Sequence, residues 1–192
     1  MAKTLHPNQI HAISHGAGPM LVLAGPGSGK TTVIIQRIRR LTEKMGVSPY
    51  RILVITFTKA AAEQMKTRYA ALQGKSGVMF GTFHSVFFRI LRQACGYSLE
   101  QVLSEDERRN TLQKLVTEAR ISVQDQEEYI QQFFSQYSLM KNQLLDVSDF
   151  MPDGLPKDEF VALTKKFDGW KRRNEKIDFD DMLTECYDVL SQ

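Results

Sequence analysis

The chain has 192 residues, 42% of them hydrophobic, enough for one large domain or two small ones with a real core. No run of 18 apolar residues exists, which excludes a membrane-spanning helix, and the opening MAKTLHPNQI has no apolar signal core, which predicts a cytoplasmic protein. Net charge is only +3, but residues 1–99 hold 13 Lys and Arg against 2 Asp and Glu (net +11), whereas residues 100–192 hold 12 against 20 (net −8). The basic half invites a polyanion such as nucleic acid, unless the acidic half neutralises it on folding. Cys95 and Cys186 have neither metal-ligand spacing nor a disulfide framework and read as reduced core thiols.

In chain order, MLVLAG (20–25) reads as a short buried strand running into a glycine loop. Residues 30–45 place Val33, Ile34, Ile38, Leu41 and Met45 at helical spacing, and Gly46, Ser48 and Pro49 end the helix. RILVITF (51–57) reads as a second buried strand, the Ala-rich stretch 59–72 as a helix, GVMFGTF (77–83) as a third strand and 84–94 as a helix. Alternation of strand and helix predicts βαβ units on a parallel sheet, an α/β fold. From about residue 96 no convincing strand follows. Ser104 with Glu107 forms a capping-box pair opening a helix to about Ala119, and Ser122 with Asp125 marks a second start, running to about Asn142. After a Pro- and Gly-containing loop (146–156), helices are predicted over about 157–173 and 178–190.

LAGPGSGKTT (23–32) carries the chemistry. Residues 24–31 fit the phosphate-loop pattern G-x-x-x-x-G-K-[ST], with Ala24 in place of the first glycine. Gly25, Gly27 and Gly29, interleaved with Pro26 and Ser28, let the backbone curl so that its N–H groups converge on phosphate oxygens. The helix beginning near Lys30 presents its positive end to the same anion. Lys30 would reach the β- and γ-phosphates and Thr31 would ligate Mg²⁺, so a nucleoside triphosphate with Mg²⁺ is expected. About 20 residues upstream, Gln9 has an amide that can accept from adenine N6–H and donate to N7.

Read together, LHPNQIHAI (5–13), AGPGSGKTT, TFTKAAAEQM, GTFHS and IDFDDML (177–183) resemble, in order and spacing, the N-terminal part of superfamily 1 DNA helicases of the UvrD/Rep/PcrA kind. The resemblance implies a P-loop RecA-like parallel sheet, incomplete here, with an inserted all-helical subdomain. Residues 1–95 and 177–192 would form part of the ATP-binding domain 1A, and residues 96–176 the insertion 1B. It further implies that the nucleotide is ATP, that Gln9 reads adenine, that Thr56, Phe57 and Thr58 lie on a single-stranded DNA track with Phe57 against a base, and that Thr82, His84 and Ser85 touch DNA phosphates. Phe57 could equally be a core phenylalanine, and His84 could cap its own helix. Lys59, Lys66 and Arg68 could line a phosphate-binding face or simply be solvated. Where these helicases often carry Arg after the phosphate-loop threonine, this chain has Thr32, which leaves Arg37 as the nearby cation for the base side.

The family's apolar strand followed by Asp-Glu (Walker B) is not found in the sequence. Asp178, Asp180 and Asp181 of IDFDDML read as solvated or helix-start residues. The chain is therefore expected to be a piece of an ATP-dependent helicase that translocates on single-stranded DNA, without its second motor domain. It would bind nucleotide and DNA at best weakly, be inactive alone, and expose a sheet edge able to pair with a second copy. Two other readings are a small P-loop kinase or phosphotransferase, which would not need TFTKAAAEQM and GTFHS, and a non-catalytic DNA- or protein-binding module, in which Lys30→Ala would leave every activity unchanged.

Overall fold

The computed structural model describes residues 5–74 and 76–192. They fall into two units, one ending at Phe83 and the other spanning His84–Gln192.

The first unit opens with a helix the hydrophobic pattern did not announce, α1 (Pro7–Ser14). Its signals are local. Pro7 stands in the first turn, where its missing N–H costs nothing, and His6 and Gln9 form a capping box. α2 (Lys30–Glu43) buries Ile35 and Ile38, β1 is Leu53–Thr56, α3 is Lys59–Gln73 and β2 is Met79–Thr82. β1 and β2 pair in parallel, with Leu53 opposite Met79 and Thr56 opposite Thr82. The core gathers Ile35, Ile38, Ile52, Val54, Tyr69 and Val78. The result is a two-stranded parallel sheet with helices, the arrangement the strand–helix alternation predicts, on a smaller scale.

The strand predicted over residues 20–25 does not form. That stretch has no strand pairing among the described residues, and Leu21 and Leu23 are 84% and 87% exposed. A strand needs a neighbour's N–H and C=O groups as well as an apolar sequence. β1 and β2 take each other as partners.

The second unit is helical. α4 (Phe83–Cys95) leads into it, and α5 (Glu105–Glu118), α6 (Gln126–Asn142), α7 (Lys157–Arg173) and α8 (Phe179–Ser191) follow. Ser104 caps α5 and forms the expected box with Glu107. α6 starts later than Ser122 suggests: Asp125 is its cap, accepting from the N–H groups of Glu127 and Glu128. Leu112, Phe133, Tyr137, Phe160, Leu163 and Phe167 form the fully buried centre of α5, α6 and α7. A smaller cluster joins Leu91 of α4 to Met182 and Cys186 of α8. Cys186 is buried as expected of a core thiol, but Cys95 is exposed. An isolated parallel bridge links Val102 to Ile177, with the Leu103 N–H donating to the Ile177 carbonyl at 2.8 Å.

Asp178, Asp180 and Asp181 are not solvated. Asp178 caps α8, as a helix-start residue should, yet it is only 1% exposed, and all three are buried. Lys171 of α7, 3% exposed, donates to Asp181 Oδ2 at 2.6 Å, to Asp178 Oδ2 at 3.0 Å and to the Tyr137 hydroxyl at 2.7 Å. Arg108 of α5 donates to Asp180 at 2.6 Å, and Lys141 of α6 to Asp181 at 3.3 Å. The acids are buried because each meets a cation from another helix, a pairing that offsets the cost of desolvating charge. Burial pushes the Asp178 carboxyl up against the pull of Lys171. Burial also opposes ionisation of Asp181, but Lys171 and Lys141 outweigh it and hold that carboxyl below its ordinary range.

Candidate functional site

The glycine turn of the first unit joins the unpaired stretch 20–25 to α2. Gly27 and Gly29 stand at φ +73° and +84°, in the left-handed region that side chains disfavour, so glycine is required for the turn at both. Gly29 is also the N-cap of α2, and having no side chain it leaves the first-turn N–H groups of α2 uncapped. A Cβ added at Gly25 or Gly27 would meet nothing within 4 Å. The turn thus offers uncapped backbone donors at a positive helix end, the physical requirement for holding a phosphate.

Lys30, the first residue of α2, folds back over the turn. Its ammonium donates to the carbonyls of Gly25 at 2.8 Å and Ala24 at 3.1 Å. Ser28 Oγ donates to the Gly25 carbonyl at 2.8 Å, closing the turn on itself. Gln9 reaches the turn from α1: its Nε2 donates to the Ser28 carbonyl at 2.8 Å, and its Oε1 accepts the His6 N–H at 2.9 Å.

A cavity of 540 Å³ adjoins these residues. Of the residues predicted to bind cofactor, Gln9, Ala24, Gly25, Ser28, Lys30 and Arg37 line it, whereas Pro26, Gly27, Gly29, Thr31 and Thr32 do not. Its apolar wall comes from Ala12, Met20, Val22, Val33 and Ile34, none of which sequence reasoning had assigned to a site. The spacing of Val33 and Ile34 with Arg37 on one helix was the available signal. Arg37 is not a free cation. Its guanidinium donates to the carbonyls of His15 at 2.7 Å, Ile13 at 3.2 Å and Gly16 at 3.3 Å, and so ties down the C-terminal end of α1. Thr31 is half-buried and Thr32 exposed.

The residues predicted to meet DNA divide between the units. In the first, Thr56 and Thr82 lie opposite each other at the C-terminal ends of the two parallel strands, the end where open α/β sheets place their ligands. Phe57, the next residue, is 91% exposed, which rules out a core role, and its ring lies 5.7 Å from that of Phe83. Two hydroxyls are committed locally: Thr56 Oγ1 donates to the Thr58 carbonyl at 2.9 Å, and Thr58 Oγ1 caps α3 by accepting from the Ala61 N–H at 3.2 Å. Lys59, Lys66 and Arg68 lie exposed on α3. In the second unit, His84 is exposed and its ring meets the edge of Phe179 at 5.1 Å, while Ser85 lies in the same first turn of α4.

Comparison with known proteins gives the same direction. The profile of the UvrD/REP helicase N-terminal domain matches residues 5–192. YjcD of Bacillus subtilis is 32% identical over 200 residues, covering 97% of this chain and 25% of that protein. The ATP-dependent DNA helicase PcrA of Staphylococcus epidermidis is 33% identical over 202 residues, covering all of this chain and 27% of that protein, and PcrA of Staphylococcus aureus is 32% identical over 197 residues. The chain thus spans about a quarter of the length of these relatives. Among the described residues no helix is long and apolar enough to cross a membrane. With the glycine turn, its lysine and the paired strand ends all lying within the matched region, the chain belongs to the UvrD/REP helicase N-terminal domain family.

Proposed function

We propose that this chain is the ATP-binding part of a DNA helicase that moves along single-stranded DNA at the expense of ATP. The observation that carries the reading is the uncapped, positive-φ glycine turn at the start of α2, set beside a cavity with Gln9 in its wall. The residues fit a magnesium nucleotide. The first-turn N–H groups would hold phosphate oxygens, Lys30 would exchange its two loop carbonyls for the β- and γ-phosphates, and the apolar wall would take the purine. Gln9 would read adenine, and the Thr31 hydroxyl would be the chain's ligand to Mg²⁺ beside the phosphates. Arg37 would act on the base side only by shaping the cavity wall.

The partial RecA-like domain would comprise residues 1–95 and 177–192, with 96–176 inserted. The bridge between Val102 and Ile177 supports this, since it brings the two ends of the inserted stretch side by side, as does the packing of α4 against α8. Single-stranded DNA would run past Thr56, Phe57, Thr58 and Thr82, with His84 and Ser85 as further phosphate contacts. The exposed 20–25 stretch would pair with a second copy when nothing else covers it.

Binding of a fluorescent ATP analogue tests the nucleotide site. The wild-type chain is expected to bind it with Mg²⁺, and Lys30→Ala to weaken it at least tenfold without lowering the melting temperature, because Lys30 is exposed. Equal binding by the two proteins would refute the assignment.

A further inference from the structure

Gln9 is held against the phosphate loop more tightly than reading a base requires. Its Oε1 accepts the His6 N–H within the capping box of α1, which fixes which end of the amide is oxygen and which is nitrogen. Its Nε2 then donates to the Ser28 carbonyl, 19 residues away, at 2.8 Å. A Cβ at Gly29 would fall 2.8 Å from the same nitrogen, so the amide lies directly against the Gly29 backbone. The Ser28 carbonyl and the Gly29 N–H belong to one peptide plane. In a trans peptide the two point in opposite directions, so holding the carbonyl toward Gln9 aims the N–H away from it. Among the described residues the Ser28 carbonyl accepts from no other group. Gly29, at φ +84°, has no side chain to restrain its own backbone, so the Gln9 contact is the side-chain hold on this plane.

We propose that Gln9 is a positioning residue for the phosphate loop: by clamping the Ser28 carbonyl it sets the direction of the Gly29 N–H toward a bound phosphate, and so ties purine recognition to the phosphate grip. The amide has the capacity for both tasks. Each of its two functional atoms has one further hydrogen-bonding position beyond those taken by His6 and Ser28. The oxygen can accept from adenine N6–H while the nitrogen donates to N7, with their polarity already set by His6. The inference rests on the nucleotide reading above and adds to it a role that does not involve the base.

Inorganic tripolyphosphate, which has phosphates and no base, separates the two roles. Calorimetric titration of the wild-type chain, Gln9→Met and Gln9→Ala with tripolyphosphate and with Mg-ATP is the experiment. Methionine keeps the length without a donor, and alanine keeps the helix propensity of α1 should methionine disturb it. Both variants are expected to bind tripolyphosphate about five- to tenfold more weakly and Mg-ATP more weakly still, with the ¹⁵N–H resonance of Gly29 displaced and the rest of the folded-state ¹⁵N–H spectrum retained. Variants that bind tripolyphosphate within twofold of wild type would overturn the proposal, and loss of ATP binding alone would return Gln9 to a base contact only. A wild-type chain that binds neither ligand would overturn the nucleotide reading itself, and this inference with it.

Discussion

Phe57 and Lys171 are each in surroundings opposite to those their side chains prefer, and the reasons differ. A large aromatic ring left 91% exposed at the end of a strand buries little surface in the fold. Removing it should therefore leave stability intact while lowering affinity for single-stranded DNA, since stacking one base on an aromatic ring contributes about 1–3 kcal/mol. Fluorescence anisotropy with labelled oligothymidylate should show Phe57→Ala binding at least fivefold more weakly at an unchanged melting temperature; unchanged binding would remove Phe57 from the DNA track. Lys171 is the converse. Its ammonium is buried among Asp168, Asp178 and Asp181 at 3.3, 3.0 and 2.6 Å. Lys171→Met leaves these carboxylates without their central cation, and breaking a buried ion pair from one side costs about 3–5 kcal/mol. Urea unfolding followed by the fluorescence of Trp170, the chain's single tryptophan, should show a loss of that size.

The elements that could be read from the sequence are those whose cause is local. The α5 cap at Ser104 and Glu107 follows from side chains three residues apart, and α7 starts, as predicted, directly after the loop that ends in Pro156. The glycine turn was legible for the same reason, because positive φ at Gly27 and Gly29 is a property of single residues. What could not be read depends on distant partners. IDFDDML looks solvated until Arg108, Lys141 and Lys171 arrive from three other helices. Arg37 looks available for a base until its bonds to the end of α1 are seen. The stretch 20–25 is the clearest case, since its apolar sequence is that of a buried strand but its pairing depends on backbone from elsewhere. An exposed, strand-competent segment is a template for association. Sedimentation velocity should show the weight-average mass rising with loading concentration, and Leu21→Lys should return the chain to a monomer. A concentration-independent monomer for the unmodified chain would show that the segment does not recruit a copy.

At the scale of the whole molecule, the two units differ in the kind of polar group they bury, and the consequence is an uneven response to alkali. In the helical unit, burial pushes the phenol of Tyr129 up to about 12, aided by Glu159. It pushes the phenols of Tyr97 and Tyr137 up further, with Glu185 adding to the effect at Tyr97 and Asp178, Asp181 and Asp168 adding to it at Tyr137. Lys171 is pulled down by burial but raised more by Asp178, Asp181 and Asp168, so that it ends above its ordinary 10.5. The sign is the same for all four. An unfolded tyrosine loses its proton from about pH 10 and an unfolded lysine from about pH 10.4, while the folded groups hold theirs, so the unfolded state binds fewer protons and stability falls as pH rises. The contribution of these groups is complete below their unfolded pKa values and is lost progressively from about pH 10 toward the folded values. Trp170 packs against the same helical core and reports that unit alone. The urea midpoint from its fluorescence should hold between pH 8 and 9 and then decline steadily above pH 10. In Lys171→Met the decline should be shallower, because one of the four proton-linked groups is gone while the tyrosines remain. A midpoint that stays level to pH 11.5, or a Lys171→Met slope equal to that of the unaltered chain, would show that the buried lysine does not hold its proton against alkali as its three carboxylate neighbours require.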